Sequence, residues 1–272
     1  MKKEDLDIFM NQWLEKHGPT LLPGAMLMKY GPEDYIGAAL CIRGTLYFKG
    51  SHTPEVREAI CQCFDAYEAI AKEHLKWLWR EAPNDGVSKQ EYAKVKPMRD
   101  MVKRLGENDL VSFAYHGGQK AEDASPWYFF ASGLRGWKAK MGTWGLDMLQ
   151  FSLSAEFFET NPLKFQELFL QFSKILKVEH GHGGYALNLS HVRVEPNESI
   201  EAFMSQKLIA LDAGNASGNY DQGITDHIKT IGWLTAINKT MLAKLEGMYT
   251  IHSELPELWY AKYDYGNGIV IQ

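Results

Sequence analysis

The sequence contains few cysteines. Only Cys41, Cys61 and Cys63 occur among 272 residues. A small odd number excludes a disulfide framework and is typical of a protein that folds in a reducing compartment. Cys61 and Cys63 lie two positions apart in a predicted helix, so their side chains point about 200° apart and cannot close on one metal ion. We therefore interpret them as small packing residues.

Long apolar runs and an excess of basic charge are also missing. The N-terminal residues 1–7 (MKKEDLD) turn acidic where a signal peptide would need an apolar core. No apolar run approaches the length of a membrane span. Acidic residues exceed basic ones by 34 to 29, which makes nucleic acid a poor candidate for a partner. We therefore expect a soluble, cytoplasmic protein that contacts neither membrane nor nucleic acid.

The common catalytic and nucleotide-binding motifs are absent from the sequence. It has no G-x-x-x-x-G-K-[ST] phosphate loop, no G-x-G-x-x-G after a predicted strand and no G-x-S-x-G nucleophile elbow. The remaining candidate is residues 180–184 (HGHGG), because His180 and His182 could ligate a metal ion. No H-E-x-x-H motif or second ligand pair supports them, and we favour a flexible turn that leads into a strand. We expect no enzyme, metal site or cofactor, and a metal-dependent hydrolase that uses His180 and His182 is the alternative.

Apolar residues alternate in some segments and recur at helical spacing in others. Alternation predicts strands, and the helical spacing predicts helices that face a core. The predicted strands are 40–48, 110–115, 127–130, 146–158, 185–189, 258–263 and 269–272. The predicted helices are 53–78, 88–105, 161–176, 197–210 and 235–245.

Strands and helices that mix without strict alternation indicate an α+β fold, with helices packed over a largely antiparallel sheet. No linker rich in Pro, Gly or Ser divides the chain, so we expect one domain over residues 1–272. A strand–helix–strand order occurs twice, over 40–115 and 146–189. This order is compatible with two similar halves, 1–140 and 141–272, although no residue-level repeat accompanies it.

The net negative charge is concentrated near the C-terminus. Residues 195–272 hold ten acidic residues, five lysines and no arginine, whereas the first 194 residues balance to zero. This acidity indicates either a solvated face or a surface shaped for a basic partner. Within it, the polar segment 212–223 contains three glycines, two asparagines and a tyrosine. That composition is typical of an exposed, adaptable binding loop.

Three C-terminal segments resemble those of a known family. They are 228–235 (IKTIGWLT), 245–247 (LEG) and 266–272 (GNGIVIQ). They are similar to the type VI secretion immunity family of the TsiV kind, clearly over the C-terminal third and by order of elements over the first half. The resemblance implies an immunity protein, without catalysis of its own, that binds an injected toxin and neutralises it by occlusion.

The implied partner is a cognate type VI effector toxin, and nucleases are one class of such toxins. Because a nuclease carries a basic cleft, an acidic surface would meet it quickly and specifically. We therefore place the partner-binding face on the acidic C-terminal residues and a nearby tyrosine: Glu198, Glu201, Asp212, Tyr220, Asp221 and Asp226. We interpret Ile231, Trp233 and Leu234 as part of the core that the resemblance implies.

Overall fold

The computed structural model describes residues 8, 11–12, 26–29, 35–142, 145–191, 194–208, 210–212, 224, 227–246 and 260–272. The strands are β1 (Met26–Lys29), β2 (Tyr35–Phe48), β3 (Trp77–Trp79), β4 (Lys89–Glu91), β5 (Val111–His116), β6 (Tyr128–Gly133), β7 (Asp147–Ser154), β8 (His180–Leu189), β9 (Leu234–Asn238), β10 (Lys262–Asp264) and β11 (Gly268–Ile271). The helices are α1 (Pro54–Ala71), α2 (Met98–Val102), α3 (Gly136–Met141), α4 (Ala155–Thr160), α5 (Pro162–Leu176), α6 (Val194–Lys207) and α7 (Lys239–Glu246). Two short 3-10 turns cover Lys72–His74 and Tyr92–Lys94.

The strands form one sheet, in the order β10-β11-β9-β8-β2-β7-β6-β5-β3-β4, with β1 paired to β2 beside this path. All pairings between these strands are antiparallel. The long strand β2 lies at the centre, between β7 and β8. At the two ends of the path, β4 and β10 are three residues long and carry charged side chains. The predicted α+β fold with a largely antiparallel sheet is confirmed.

Helices α1 and α5 contact each other and cover one face of the sheet. Thr53 begins α1: its Oγ1 accepts the Val56 N–H at 3.4 Å, and Pro54 follows at the first helical position. Alternate side chains of β2 point to the face that these helices cover, because successive residues of a strand face opposite ways. The large, fully buried members of this core are Ile42, Leu46, Phe48, Tyr67, Tyr115, Phe129, Phe151, Phe165, Phe169 and Phe172.

The opposite face of the sheet is polar and nevertheless buried. Arg43 and Thr45 of β2, Gln150 of β7 and His182 of β8 all expose less than a tenth of their surface. Helix α6 contacts both β2 and β8, and Ile224 packs in a cluster with residues of the central strands. Much of this polar face is therefore covered by the chain that follows β8.

The two strand–helix units β2–α1 and β7–α5 occupy the middle of the sheet. Their strands are neighbours and their helices are in contact. After β2, the first half of the chain adds β3, β5 and β6 from one end of the sheet towards the centre. After β7, the second half adds β8, β9 and β11 from the centre towards the other end.

Several predicted helices are shorter than expected because strands take part of their length. The helix predicted over 53–78 ends at Ala71, and Trp77–Trp79 forms β3, so these tryptophans lie on the same side of a strand. The helix predicted over 88–105 keeps only Met98–Val102, and β4 forms at Lys89–Glu91. The helix predicted over 235–245 begins at Lys239, after strand β9.

Two predictions near the centre of the sheet are also corrected. The strand predicted over 146–158 ends at Ser154, whose Oγ accepts the Phe157 N–H at 3.2 Å and begins α4. Residues 180–184, predicted as a turn, form the first half of β8 and pair with β2. Among the described residues, no helix is both long enough and apolar enough to span a membrane.

Candidate functional site

The six residues predicted to bind a partner differ in where the structure places them. Glu201 and the side chain of Asp212 are only 4% and 8% exposed. Glu198 lies on α6, where its backbone alone is described. The remaining three, Tyr220, Asp221 and Asp226, lie outside the described residues. The exposed acidic face that we predicted therefore does not include Glu201 or Asp212, because both carboxylates are turned into the protein.

Asp212 is enclosed by three basic side chains. Its Oδ2 accepts a hydrogen bond from Arg43 Nη2 at 2.9 Å and lies 3.1 Å from His182 Nε2. Its Oδ1 lies 3.7 Å from Lys229 Nζ. None of these four side chains is more than 14% exposed. They form a buried ion cluster of Arg43, His182, Asp212 and Lys229 on the polar face of the sheet.

The backbone beside this cluster is attached to β8. The Asp212 N–H donates to the Tyr185 carbonyl at 2.7 Å, and Asp212 forms an isolated parallel bridge with Ala186. Arg43 Nη1 donates to the Leu187 carbonyl at 2.8 Å. Asp212 therefore anchors the start of the predicted binding segment 212–223 to the sheet.

Burial and charge act against each other in the ion cluster. Burial would raise the pKa of Asp212, but the neighbouring basic groups, Arg43 first among them, outweigh it and hold that pKa well below its usual range. Burial lowers the pKa of His182 in spite of Asp212, so the imidazole is neutral and donates its Nε2 hydrogen to the carboxylate. Burial opposes the charged forms of Arg43 and Lys229; at Arg43 the neighbouring acidic groups, Asp212 first among them, prevail and raise its pKa, whereas at Lys229 burial prevails and lowers its pKa. Two cations and two carboxylates thus balance inside the protein, as buried charges require.

His180 and His182 serve the fold rather than a metal site. They lie two residues apart on β8 and are 0% and 1% exposed. His180 Nε2 lies 3.0 Å from the Ile224 carbonyl, and burial lowers the pKa of His180 to about 4. Among the described residues, no group of three His, Cys, Asp or Glu side chains could hold a metal ion. Each histidine instead holds a residue of the covering chain, Ile224 or Asp212, and the geometry gives the hydrolase alternative no support.

A surface of exposed apolar side chains was missed by the sequence reasoning. Tyr185 is 40%, Trp233 36% and Ile231 83% exposed. The Phe158 ring lies 5.4 Å from Trp233 and 5.9 Å from Tyr185, centroid to centroid. We name Phe158, Tyr185, Ile231 and Trp233 the aromatic patch. The prediction that Ile231 and Trp233 belong to the core is wrong, whereas Leu234 is fully buried as expected.

The segment 228–235 is fixed to the sheet by its backbone and by one hydroxyl. A Cβ atom on Gly232 would lie 2.6 Å from the Gly183 carbonyl oxygen, so only glycine allows this approach. Thr235 Oγ1 accepts the Gly232 N–H at 3.1 Å and donates to the Gly232 carbonyl at 3.2 Å. Together with the contact of Lys229 to Asp212, these contacts direct the Trp233 side chain towards solvent and the Leu234 side chain into the core. Successive residues of an extended chain face opposite ways, which accounts for the different exposure of these two neighbouring apolar residues.

Comparisons with known proteins agree with this fold. The profile of the TsiV family, described as type VI immunity for VRR-NUC, matches residues 59–272. The solved structure of the Pseudomonas aeruginosa T6SS protein PA0821 is similar, with 42% sequence identity and a TM-score of 0.86. The alignment covers 97% of this chain and 74% of that one. No curated protein matches the chain.

Proposed function

The chain belongs to the TsiV family of type VI immunity proteins, and on this premise we propose that it binds a VRR-NUC nuclease toxin and neutralises it by covering the cleft that holds nucleic acid. The observation that carries the proposal is the family match over residues 59–272. The geometry favours a binding role over catalysis by these residues. The side chains of His180, His182 and Asp212 contact other parts of the same chain. Their side chains are engaged in holding the fold together.

Charge favours occlusion of the cleft over binding elsewhere on the toxin. A nuclease must attract phosphates, so its cleft is basic. The C-terminal residues 195–272 of this chain carry twice as many acidic as basic side chains. The members of the predicted face that remain candidates for contact are Glu198, Tyr220, Asp221 and Asp226. Such a surface would compete with nucleic acid for the same basic groups.

The proposed target also sets the compartment. A nuclease harms a cell only where nucleic acid is present, so its inhibitor acts in the cytoplasm. We propose that the protein works there without cofactor or metal of its own, as one copy bound to one toxin.

Titration calorimetry against a type VI effector toxin with a VRR-NUC nuclease domain tests the proposed function. The toxin is inactivated for purification, and we expect one-to-one binding with a dissociation constant in the nanomolar range or below. With active toxin, cleavage of DNA should stop once the two proteins are equimolar. An absence of binding at micromolar concentrations, or full nuclease activity in the saturated complex, would contradict the proposal.

A competition experiment separates occlusion from inhibition at a distance. Fluorescent DNA is bound to the inactivated toxin, and the immunity protein is then added. Occlusion predicts that the DNA is displaced in proportion to the protein added. A stable complex of DNA, toxin and immunity protein would rule out occlusion while leaving toxin binding intact.

Charge reversal tests the acidic face. We expect Asp221→Lys combined with Asp226→Lys to weaken binding, mostly through slower association, and to do so most at low salt, where screening is least. Glu81→Lys is the control, because Glu81 is exposed at the far end of the sheet, beside β3. Equal affinity of the double variant and the unmodified protein at low ionic strength would remove these residues from the interface.

A further inference from the structure

We propose that the aromatic patch is the apolar anchor of the toxin-binding surface, and that it packs against the rim of the basic cleft of the nuclease. This inference rests on the proposed function and adds to it a location and a mode of contact. Tryptophan and tyrosine dominate the binding energy of protein interfaces, because a large rigid ring is desolvated with little loss of conformational freedom. The partner we infer is a protein surface in which apolar side chains border a basic, nucleic-acid-binding groove.

The patch is exposed yet firmly seated in the fold. The Trp233 ring stacks on Phe165, a fully buried residue of the main core, at 6.1 Å between centroids. Phe158 meets Trp233 and Tyr185 edge to face. Three separate segments, α4, β8 and the residue before β9, thus contribute one group of packed rings. A surface that is ordered before binding loses little entropy when a partner covers it.

The backbone under the patch is equally constrained. Gly232, between Ile231 and Trp233, lies directly against the Gly183 backbone of β8. The Thr235 hydroxyl closes the turn on both sides of Gly232. Ile231 contributes little to folding at 83% exposure, so its side chain is available to a partner.

The charges next to the patch fit a basic partner. Glu156 and Glu159 flank Phe158 on α4, and both are exposed. In the described part of the chain, neither carboxylate forms an ion pair. Ile231 also follows Asp226, a residue of the predicted acidic face, by only five positions. An apolar centre with an acidic border is complementary to a basic groove with an apolar rim.

Calorimetry with the inactivated toxin tests the patch through four single substitutions. We expect Trp233→Ala to weaken binding at least about 30-fold and Ile231→Asp at least about 10-fold. The matched controls are Trp137→Ala and Met141→Asp on α3, whose side chains are 46% and 57% exposed. Helix α3 follows β6, which β7 and β2 separate from β8 in the sheet. These controls should change the affinity less than about twofold, as expected of residues outside an interface.

A substitution at Ile231 distinguishes an effect on toxin binding from an effect on folding. At 83% exposure its substitution should leave the urea unfolding midpoint unchanged, so a loss of affinity reports contact. Glu159→Lys adds a charge test, and its effect should grow as the salt concentration falls. If the unmodified protein binds and both patch variants bind equally well, the patch is not the anchor and the proposed function stands. If the unmodified protein does not bind, both proposals fall.

Discussion

At the scale of single residues, Asp212 makes the most consequential polar contacts that the structure describes. Its carboxylate faces Arg43, His182 and Lys229, and its own side chain is 8% exposed. Removing one charge from a buried group leaves the opposite charges without compensation. This side chain, together with the Asp212 N–H on Tyr185 and His180 on the Ile224 carbonyl, attaches the chain that follows α6 to the polar face.

We predict that Asp212→Asn lowers the free energy of unfolding by about 3–5 kcal/mol, because Arg43 and Lys229 would keep their charges in a buried setting. Urea unfolding followed by far-UV circular dichroism measures this change. Glu91→Gln is the control: it breaks the exposed ion pair with Lys94 and should cost less than about 1 kcal/mol. Equal stability of the two variants would show that Asp212 does not balance the buried cations.

The buried histidines make stability depend on pH. Burial lowers the pKa of His116 to about 3 and those of His180 and His191 to about 4. In the unfolded chain these groups take up protons below about pH 6.5, whereas in the folded protein they stay neutral until the pH nears their lowered pKa. The stability that their neutral burial contributes is therefore complete above pH 6.5 and is lost as the pH falls towards 4.

We predict that the free energy of unfolding falls between pH 7 and pH 5 by up to about 2 kcal/mol for each of these histidines. Urea titrations at pH 7.0, 6.0 and 5.0 measure the decrease. His116→Gln should remove one such contribution and flatten the pH profile. Unchanged stability over this range would mean that these histidines are protonated in the folded state.

At the scale of elements, segment 228–233 lies against β8, and this contact determines where the aromatic patch is presented. Gly232 and Gly183 meet backbone to backbone, and the backbone cannot turn aside as a flexible side chain could. The position of the Trp233 ring depends on this contact. The contact between Gly232 and Gly183 thereby couples the position of the aromatic patch to strand β8.

We predict that Gly232→Ala destabilises the protein by about 1–3 kcal/mol, because the added methyl group overlaps the Gly183 carbonyl. Trp233 should also shift, and toxin affinity should fall. Gly184→Ala is the matched control, since a Cβ there meets only ordinary contact, 3.7 Å from the Trp233 nitrogen. Urea unfolding and calorimetry of both variants measure the difference. A Gly232→Ala protein with the stability and affinity of the control would contradict the close contact.

Local signals account for the elements that the sequence predicted well. Thr53 with Pro54, and Asn161 with Pro162, mark true helix starts: the Thr53 hydroxyl caps α1, and a proline stands at the first turn of both α1 and α5. These signals involve only neighbouring residues. Trp77–Trp79 was assigned to a helix because Leu75 and Leu78 continue the helical spacing of α1. The strand is instead fixed by pairing with β4 and with β5, which begins only at Val111. Short apolar runs do not distinguish these outcomes.

The candidate site was predicted less well, for the same reason. The partners of Asp212 are residues 43, 182 and 229. No local sequence pattern predicts contacts between residues so far apart in the chain. In a sequence, acidic residues within a polar segment indicate a solvated surface. Only the folded structure shows whether basic side chains surround them. The exposure of Ile231 and Trp233 likewise follows from the contact at Gly232. The family, by contrast, was recognisable from the short C-terminal segments alone.

At the scale of the whole molecule, β2 joins the two halves of the chain. It belongs to residues 1–140, yet both of its long neighbours, β7 and β8, belong to residues 141–272. A division at residue 140 would take both long neighbours from the central strand and leave it paired only with the four-residue strand β1. The arrangement favours one cooperative unit over two independent domains.

We predict that the full chain unfolds in one transition, and that neither 1–140 nor 141–272 folds alone. Tryptophan fluorescence and far-UV circular dichroism should give coincident urea curves, because two-state unfolding leaves no intermediate for one probe to detect. Separate transitions, or a fragment with a cooperative unfolding curve, would indicate two domains.

The short end strands of the sheet bear on how such a protein can accumulate. A protein that neutralises its target one for one has to be stocked in excess before the target arrives. Long, unpaired edge strands would let stored copies add to one another and grow into fibrils. Here β4 and β10 are three residues long and carry Lys89, Glu91, Lys262 and Asp264. In the part of the chain that the structure describes, the sheet offers a growing fibril little backbone to extend at either end, which favours dispersed copies over aggregates.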